Sequence, residues 1–213
     1  MTLLENAELF AKSKHAGKSK KNGVTYSNHL ENVVNRLKSL GVVDEEVLCT
    51  GWLQDILEDT DTKFDELFEK FGRRIAVLTL SLTEAKFVID TDDDSSFSLT
   101  KKKRIPKKQR QKEYGLRIKE SEAVAKLIKL CDISANLGEL RNQTISKTKR
   151  KRVLKELRYY LSIIEKELIE NTEYPKAIAL LETINQNLKN QSESMIKNKK
   201  NSLSHKVRNK LER

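Results

Sequence analysis

The chain has 213 residues and a mass of 24.6 kDa, enough for one sizeable hydrophobic core. Its 7 glycines and 2 prolines are too few for the frequent turns of a β-sandwich or barrel, so we expect an all-α fold. The net charge of +11 is local: residues 100–120 carry ten basic and two acidic side chains, and 191–213 carry seven and two, whereas 1–83 carry eleven and thirteen.

Apolar residues recur at helical spacing from the start of the chain. A first helix should end near His15, and a second should stop at Gly41. Asp44 is the expected N-cap of a third helix that continues through Ile56. Residues 73–83 are apolar enough for a strand, but the absence of a second strand to pair with favours a helix.

The middle of the chain changes character. Residues 84–105 turn from acidic to basic and hold few apolar anchors, which predicts a long, mobile surface loop. Residues 120–140 should then form the most buried helix, and further helices should follow within 147–190. We therefore expect a single helical domain over 1–190, followed by a basic, flexible tail over 191–213.

Three carboxylates follow the only tryptophan of the sequence. On one continuous helix, Asp55, Glu58 and Asp59 lie at i, i+3 and i+4, so they share a face and repel one another unless a cation lies nearby. Their apolar neighbours argue against an ordinary solvated surface. The alternative is that Glu58 and Asp59 merely end a helix.

A fourth carboxylate lies in the most hydrophobic segment. Asp132 should be paired or bound to metal, because an isolated buried charge is very costly, and Asn136 follows it at i+4. A lone histidine such as His29 is more often a core or capping residue than a ligand. Together, however, His29, Asp55 and Asp132 form a nitrogen and oxygen donor set that suits Mn or another divalent metal.

These residues occur in an order that resembles the HD-domain hydrolases of the RelA/SpoT family. The segment from His15 to His29 is similar to the family's H-x-G-Q-x-R-K-x-G-x-P-Y-x-x-H-P, and Gln54-Asp55 with Glu58-Asp59-Thr60 to its H-D-x-x-E-D-T. Residues 129–137 resemble K-L-A-D-x-x-x-N-L. The match runs from about residue 7 to 141, most like the small, stand-alone, metazoan-type SpoT homologues that lack a synthetase domain.

The resemblance implies an HD-domain helical bundle that uses Mn to remove the 3′-pyrophosphate of a guanosine polyphosphate. In that scheme the site residues have three kinds of role: His29, Asp55 and Asp132 bind the metal, Glu58 and Asp59 orient or activate water, and Lys20, Lys21 and Asn136 contact the nucleotide. A metal lowers the pKa of bound water and neutralises phosphoryl charge, which suits this reaction.

The sequence departs from the family pattern at the HD pair itself. Gln54 stands where the family has histidine, so it is either a weaker ligand through its amide oxygen or a lost one. Lys20 replaces an arginine, and Gly138 lies where relatives commonly carry arginine. These departures keep open a second hypothesis, a catalytically degenerate homologue that binds a nucleotide or a partner protein.

A third hypothesis, nucleic-acid binding, rests on the basic segment 100–120 alone. No helix-turn-helix, zinc-finger or aromatic RNA-binding signature accompanies that segment, so a solvated basic surface is favoured. No apolar run approaches the roughly 20 residues that span a bilayer, and the N-terminus lacks the features of a signal peptide. With Cys49 and Cys131 isolated from one another, these observations predict a cytoplasmic protein without a disulfide framework.

Overall fold

The computed structural model of the chain describes residues 1–18, 25–85, 87–89, 102–171 and 173–211. Within these ranges the structure is a helical bundle with one pair of short strands, which confirms the expected all-α class. The elements, in chain order, are α1 (Leu3–Lys14), α2 (Tyr26–Ser39), α3 (Glu45–Leu53), α4 (Ile56–Asp59), α5 (Phe64–Phe71), α6 (Arg73–Ser81), β1 (Phe87–Ile89), β2 (Lys102–Arg104), α7 (Lys107–Glu120), α8 (Ala123–Asn142), α9 (Lys147–Glu170) and α10 (Lys176–Leu211).

The first three helices begin at side-chain caps and pack together. Thr2, Thr25 and Asp44 each accept a hydrogen bond from a backbone N–H in the first turn of the helix that follows, and Asp44 is the predicted N-cap. Helices α1 and α2 both pack on α3, in which every residue from Val47 to Leu53 is buried. This packing fixes the position of the chain segment that follows α3.

That segment contradicts the expected continuous helix through Ile56. Helix α3 ends at Leu53 and α4 begins at Ile56, with Asp55 at φ −97° and ψ 0°, in the sparsely populated bridge region. Asp55 is therefore the N-cap of the four-residue helix that carries Glu58 and Asp59, and its backbone oxygen accepts from the Asp59 N–H at 3.0 Å. The three carboxylates still line one cavity, as their spacing predicts. The break brings Gln54 and Asp55 to the wall of a cavity.

Helix α8 is the centre of the bundle, as the sequence predicted for residues 120–140. More than half of its 20 residues are buried, and it contacts α2, α3, α7, α9 and α10. Because α2 and α3 lie on one side of α8 and α9 on another, the helix can bring side chains from distant parts of the sequence to one place. The candidate site lies along this helix.

The segment between α6 and α7 is more structured at its base than a long loop. Strands β1 and β2 pair antiparallel, with Phe87 opposite Arg104 and Ile89 opposite Lys102. The aromatic and β-branched sequence of β1 favours a strand, which explains why the expectation of a loop across 84–105 is wrong at both ends. The predicted mobility of residues 90–101 lies outside the described residues.

The last helix continues beyond the expected end of the domain. Helix α10 runs to Leu211 and passes residue 190 without interruption, because no proline or glycine breaks its sequence. The flexibility of residues 191–213 stays a prediction. Over the part of the chain that the structure describes, no helix has the length and apolar character that crossing a membrane demands.

Candidate active site

His29 lies one turn into α2, and its imidazole is fully buried. Its Nδ1 is 2.6 Å from Glu139 Oε1 on α8, while its Nε2 is 3.2 Å from Asp132 Oδ1 and 3.7 Å from Asp55 Oδ2. Donation from Nδ1 to Glu139 leaves Nε2 facing two carboxylates, and this orientation presents the Nε2 lone pair to a cation. The structure therefore brings together the three predicted ligand residues.

Asp132 is buried, and both of its carboxylate oxygens accept a hydrogen bond, as expected for a carboxylate inside a hydrophobic helix. Lys129 Nζ donates to its Oδ2 at 2.8 Å, and Asn136 Nδ2 donates to its Oδ1 at 2.6 Å. Asn136, predicted to contact a nucleotide, thus holds Asp132 while it also lines the cavity. These contacts orient the carboxylate toward His29.

The break between α3 and α4 supplies the opposite side of the site. Gln54 is only 3% exposed, and its Nε2 has no hydrogen-bond partner among the described residues. Glu58 Oε2 accepts from the backbone N–H of Glu84 at 3.3 Å. The predicted catalytic pair, Glu58 and Asp59, therefore lies at the cavity wall beside Asp55.

Two residues from the α1–α2 region of the chain, Lys18 and Tyr26, form hydrogen bonds with Asp59. Lys18 Nζ donates to its backbone oxygen at 2.8 Å, and the Tyr26 hydroxyl hydrogen-bonds its side chain. Burial first, and the charge and hydrogen bond of Asp59 next, raise the pKa of Tyr26, so this phenol stays a hydrogen-bond donor. The imidazole of His15 stacks on the Tyr26 ring with a centroid distance of 4.8 Å, which fixes the ring.

A cavity of about 390 Å³ is lined by the Gln54, Asp55, Glu58, Asp59, Asp132, Asn136 and Glu139 side chains among others. The fully buried His29 does not line it but contacts Asp55, Asp132 and Glu139. The metal-ligand candidates lie at one end, and α9 forms the opposite wall with Lys149, Val153, Glu156, Leu157 and Tyr160. Glu84 lies between α6 and β1, where the Tyr160 hydroxyl donates to it at 3.2 Å. The volume and the mixed polar lining are those of a small-molecule site.

Lys129 lies inside this cavity between two aromatic rings. Its Nζ is 5.2 Å from the ring centroid of Tyr114 and 5.1 Å from that of Tyr160, and its side chain is 13% exposed. Burial alone would lower the pKa of Lys129, but Asp132 and Tyr114 outweigh it and raise that pKa well above its usual value. The cavity thus contains a permanent ammonium group.

Part of the basic segment 100–120 borders the same cavity. Lys107 pairs with Glu156 at 2.7 Å, and Arg110 lies 3.6 Å from Glu84. Arg117 donates to two backbone oxygens near the end of α6. These three residues therefore contact groups around the cavity, whereas Lys108, Lys112 and Lys119 of the same segment are exposed.

Some of the functional residues were not found from the sequence, and two predicted ones cannot be placed. Glu139 and Lys129 were missed, although they lie at i+7 and i−3 from Asp132, spacings that put them on its side of the helix. Lys20 and Lys21 lie outside the described residues. Their proposed contact with a substrate phosphate stays a prediction.

The nitrogen and oxygen donors of His29, Asp55 and Asp132 are of the kinds that bind a divalent cation. In the described ranges, no group of three or more His, Cys, Asp and Glu side chains has the geometry to hold a metal ion. The 3.2 and 3.7 Å distances from His29 Nε2 nevertheless suit donors that share a metal at about 2.1 Å. Gln54, whose buried Nε2 has no partner among the described residues, lines the same cavity, and its amide oxygen is a further candidate donor.

Comparisons with known proteins identify related sequences over most of this chain. Residues 7–158 match the HD domain. The guanosine-3′,5′-bis(diphosphate) 3′-pyrophosphohydrolases of Danio rerio and Homo sapiens are 33% and 32% identical over 67% of this chain and 71% of each relative. The enzyme of the same name from Aquifex aeolicus is 41% identical over 81 residues, which are 38% of this chain but only 12% of that longer protein.

A solved structure shares the fold. It is that of a metazoan ortholog of SpoT described as hydrolysing ppGpp, and it superposes with a TM-score of 0.68 at 23% identity over 86% of this chain and 94% of the other. At that identity the likeness shows the arrangement of helices and carries nothing about the reaction.

Proposed function

Because the chain belongs to the HD-domain family, we propose that it is a hydrolase that removes the 3′-pyrophosphate of guanosine 3′,5′-bis(diphosphate). Membership in this family of hydrolases implies dependence on a divalent metal. The observation that carries the proposal is the contact of the buried His29 with Asp55 and Asp132 at one end of the cavity, whose wall also includes Glu58 and Asp59. The relatives that share two thirds of the chain carry this activity in their names.

We propose Mn²⁺ as the metal, bound by His29, Asp55, Asp132 and the amide oxygen of Gln54. One nitrogen and three oxygen donors suit Mn²⁺ better than a thiolate-preferring metal. When bound, such an ion lowers the pKa of a coordinated water and neutralises phosphoryl charge. The two free, buried cysteines support a reducing, cytoplasmic location.

Residues other than the metal ligands orient His29, activate the attacking water and bind the nucleotide. Glu139 accepts the Nδ1 proton of His29 and so fixes the tautomer that presents Nε2 to the metal. Asp59, held by Tyr26 and Lys18, is the general base that takes a proton from the attacking water, and Glu58 orients that water. Asn136, with Lys20 and Lys21, contacts the nucleotide.

The experiment is a phosphate and pyrophosphate release assay with guanosine 3′,5′-bis(diphosphate) and added Mn²⁺. Asp59→Asn should reduce kcat by roughly a hundredfold or more, the usual loss for a general base, and leave the Mn²⁺ affinity within about threefold. The matched control is Asp61→Asn, the same chemical change at an exposed aspartate two residues away, which should retain full activity. No turnover by the wild-type chain with Mn²⁺ would refute the proposal.

Gln54 separates the hydrolase from the degenerate homologue. If the glutamine is a weak ligand, Gln54→His should increase the Mn²⁺ affinity by about tenfold or more, since imidazole is a stronger donor than a neutral amide. Titration calorimetry measures this affinity independently of turnover. A wild-type chain without turnover whose Gln54→His variant is also inactive would favour the binding module.

A further inference from the structure

Three helices fix the ammonium group of Lys129 inside the cavity. Lys129 extends from α8, its charge pairs with Asp132 Oδ2 at 2.8 Å, and Tyr114 of α7 and Tyr160 of α9 present their rings to it. The two rings contact each other edge to face at 5.1 Å, and both are buried. Cation–π attraction and the ion pair together keep the charge in one place.

The charges of the cavity show why a fixed cation matters there. Of the described residues that line it, seven carry carboxylates and two carry ammonium groups, Lys129 and Lys149. Lys149 lies in the first turn of α9, whereas Lys129 contacts Asp132 directly. A phosphate group entering this acidic end would meet strong repulsion unless a cation lies beside the metal ligands.

Lys126, three residues earlier on α8, is a lysine whose contacts are structural only, and it serves for comparison with Lys129. It is 2% exposed, and its Nζ donates to the Ser121 carbonyl oxygen at 2.7 Å and pairs with Glu167 at 2.6 Å. Lys126 does not line the cavity. Both lysines lie on the same helix with little exposure, 2% for Lys126 and 13% for Lys129, but only Lys129 lines the cavity.

We propose that Lys129 is a phosphate-binding residue, whose ammonium group contacts the phosphate held at the His29, Asp55 and Asp132 end of the cavity. This inference rests on the proposed function, since it assumes a phosphorylated ligand at that end. The tyrosine rings and Asp132 position the ammonium before the ligand arrives, so little ordering is needed on binding. An ammonium group binds phosphate oxygens through short, charge-assisted hydrogen bonds.

The test measures binding of inorganic pyrophosphate to the Mn²⁺-loaded protein by titration calorimetry. Lys129→Gln removes the charge but keeps a hydrogen-bond donor for Asp132, so it should raise the Kd of pyrophosphate at least tenfold while the Kd of Mn²⁺ changes less than threefold. Lys129→Arg keeps the charge and should retain most of the affinity. Lys126→Gln is the matched control and should lower the unfolding temperature without changing the pyrophosphate affinity.

Other outcomes overturn the proposal. A pyrophosphate Kd within threefold of wild type in Lys129→Gln would show that the lysine does not contact phosphate. A parallel loss of Mn²⁺ affinity would show that it acts through Asp132 instead, and a wild-type protein that binds no pyrophosphate would remove the site. Should Lys129→Gln fail to fold, Lys129→Met serves in its place. Pyrophosphate binding without nucleotide hydrolysis would contradict the proposed function alone, because binding is measured separately from turnover.

Discussion

At the scale of single residues, the sequence indicates the candidate metal donors, but it does not indicate the residues that orient those donors. His29, Asp55 and Asp132 stand out as donors, and the structure brings them together. Glu139 did not stand out, because a glutamate near the end of a helix looks like any solvated carboxylate. Its contact with His29 depends on how α2 packs on α8, a relation across 110 positions of sequence.

Glu139 should act as a positioning residue for His29. Glu139→Leu removes the acceptor of the Nδ1 proton, so we expect a tenfold to hundredfold loss of Mn²⁺ affinity, of the order known for such supporting carboxylates. Glu139→Gln keeps an oxygen acceptor and should lose about tenfold or less. Glu156→Gln, which changes a cavity carboxylate that does not touch His29, should leave Mn²⁺ affinity unchanged in the same titration.

At the scale of elements, helical periodicity and caps predict most of the helices, including α6, whose composition also suits a strand. The break between α3 and α4 was not predictable, because Gln54 and Asp55 are compatible with a helix and only packing places Asp55 in the bridge region. The β1–β2 pair was missed for a related reason. Three-residue strands carry too little periodicity to be recognised before their partner is known.

Two helical glycines should respond in opposite ways to alanine. A Cβ at Gly51 of α3 would lie 2.8 Å from Leu37 Cδ1 and 3.1 Å from Val34 Cγ2, both buried, so the cost of overpacking should exceed the gain in helix propensity, and Gly51→Ala should destabilise. At Gly138 of α8 the nearest atom would be 3.9 Å away, on the Arg36 side chain, so Gly138→Ala should stabilise by about 1 kcal/mol.

Urea unfolding measures both free energies, and the two variants should differ by about 2 kcal/mol. Equal stabilisation by both substitutions would show that α2 and α3 are not in close contact at Gly51. The pair is informative because each substitution makes the same chemical change in a helix, and only the surroundings of the added methyl group differ.

At the scale of the whole molecule, the net charge was the least specific prediction. The +11 charge could have indicated a nucleic-acid partner, but described residues of the basic segment pair with Glu156 and Glu84 at the cavity or bind the end of α6. Charge counted along a sequence does not show which side chains will meet. Fold class and family were predictable because they depend on repeated features spread over many residues.

The two cysteines should report on unfolding of the bundle as a whole. Cys49 of α3 and Cys131 of α8 are both 0% exposed, and burial raises the pKa of each thiol to about 12. At pH 8 in the native state, neither thiol should react with Ellman's reagent on the time scale of minutes, whereas both should react in guanidinium chloride. One fast-reacting thiol without denaturant would mean that α3 or α8 opens locally.

Helix α8 both forms the centre of the core and lines the cavity, and these two roles restrict which of its residues can be substituted. Besides its buried residues, the helix carries Lys129, Asn136 and Glu139 at the cavity, so only six of its 20 positions serve neither purpose. An amphipathic surface helix tolerates substitution along one whole face. In α8 the six remaining positions, Ala123, Val124, Ser134, Gly138, Arg141 and Asn142, fall within an arc of about 100° around the helix. Mutational tolerance along this helix should therefore be confined to one narrow stripe, because stability or activity constrains the rest of its circumference.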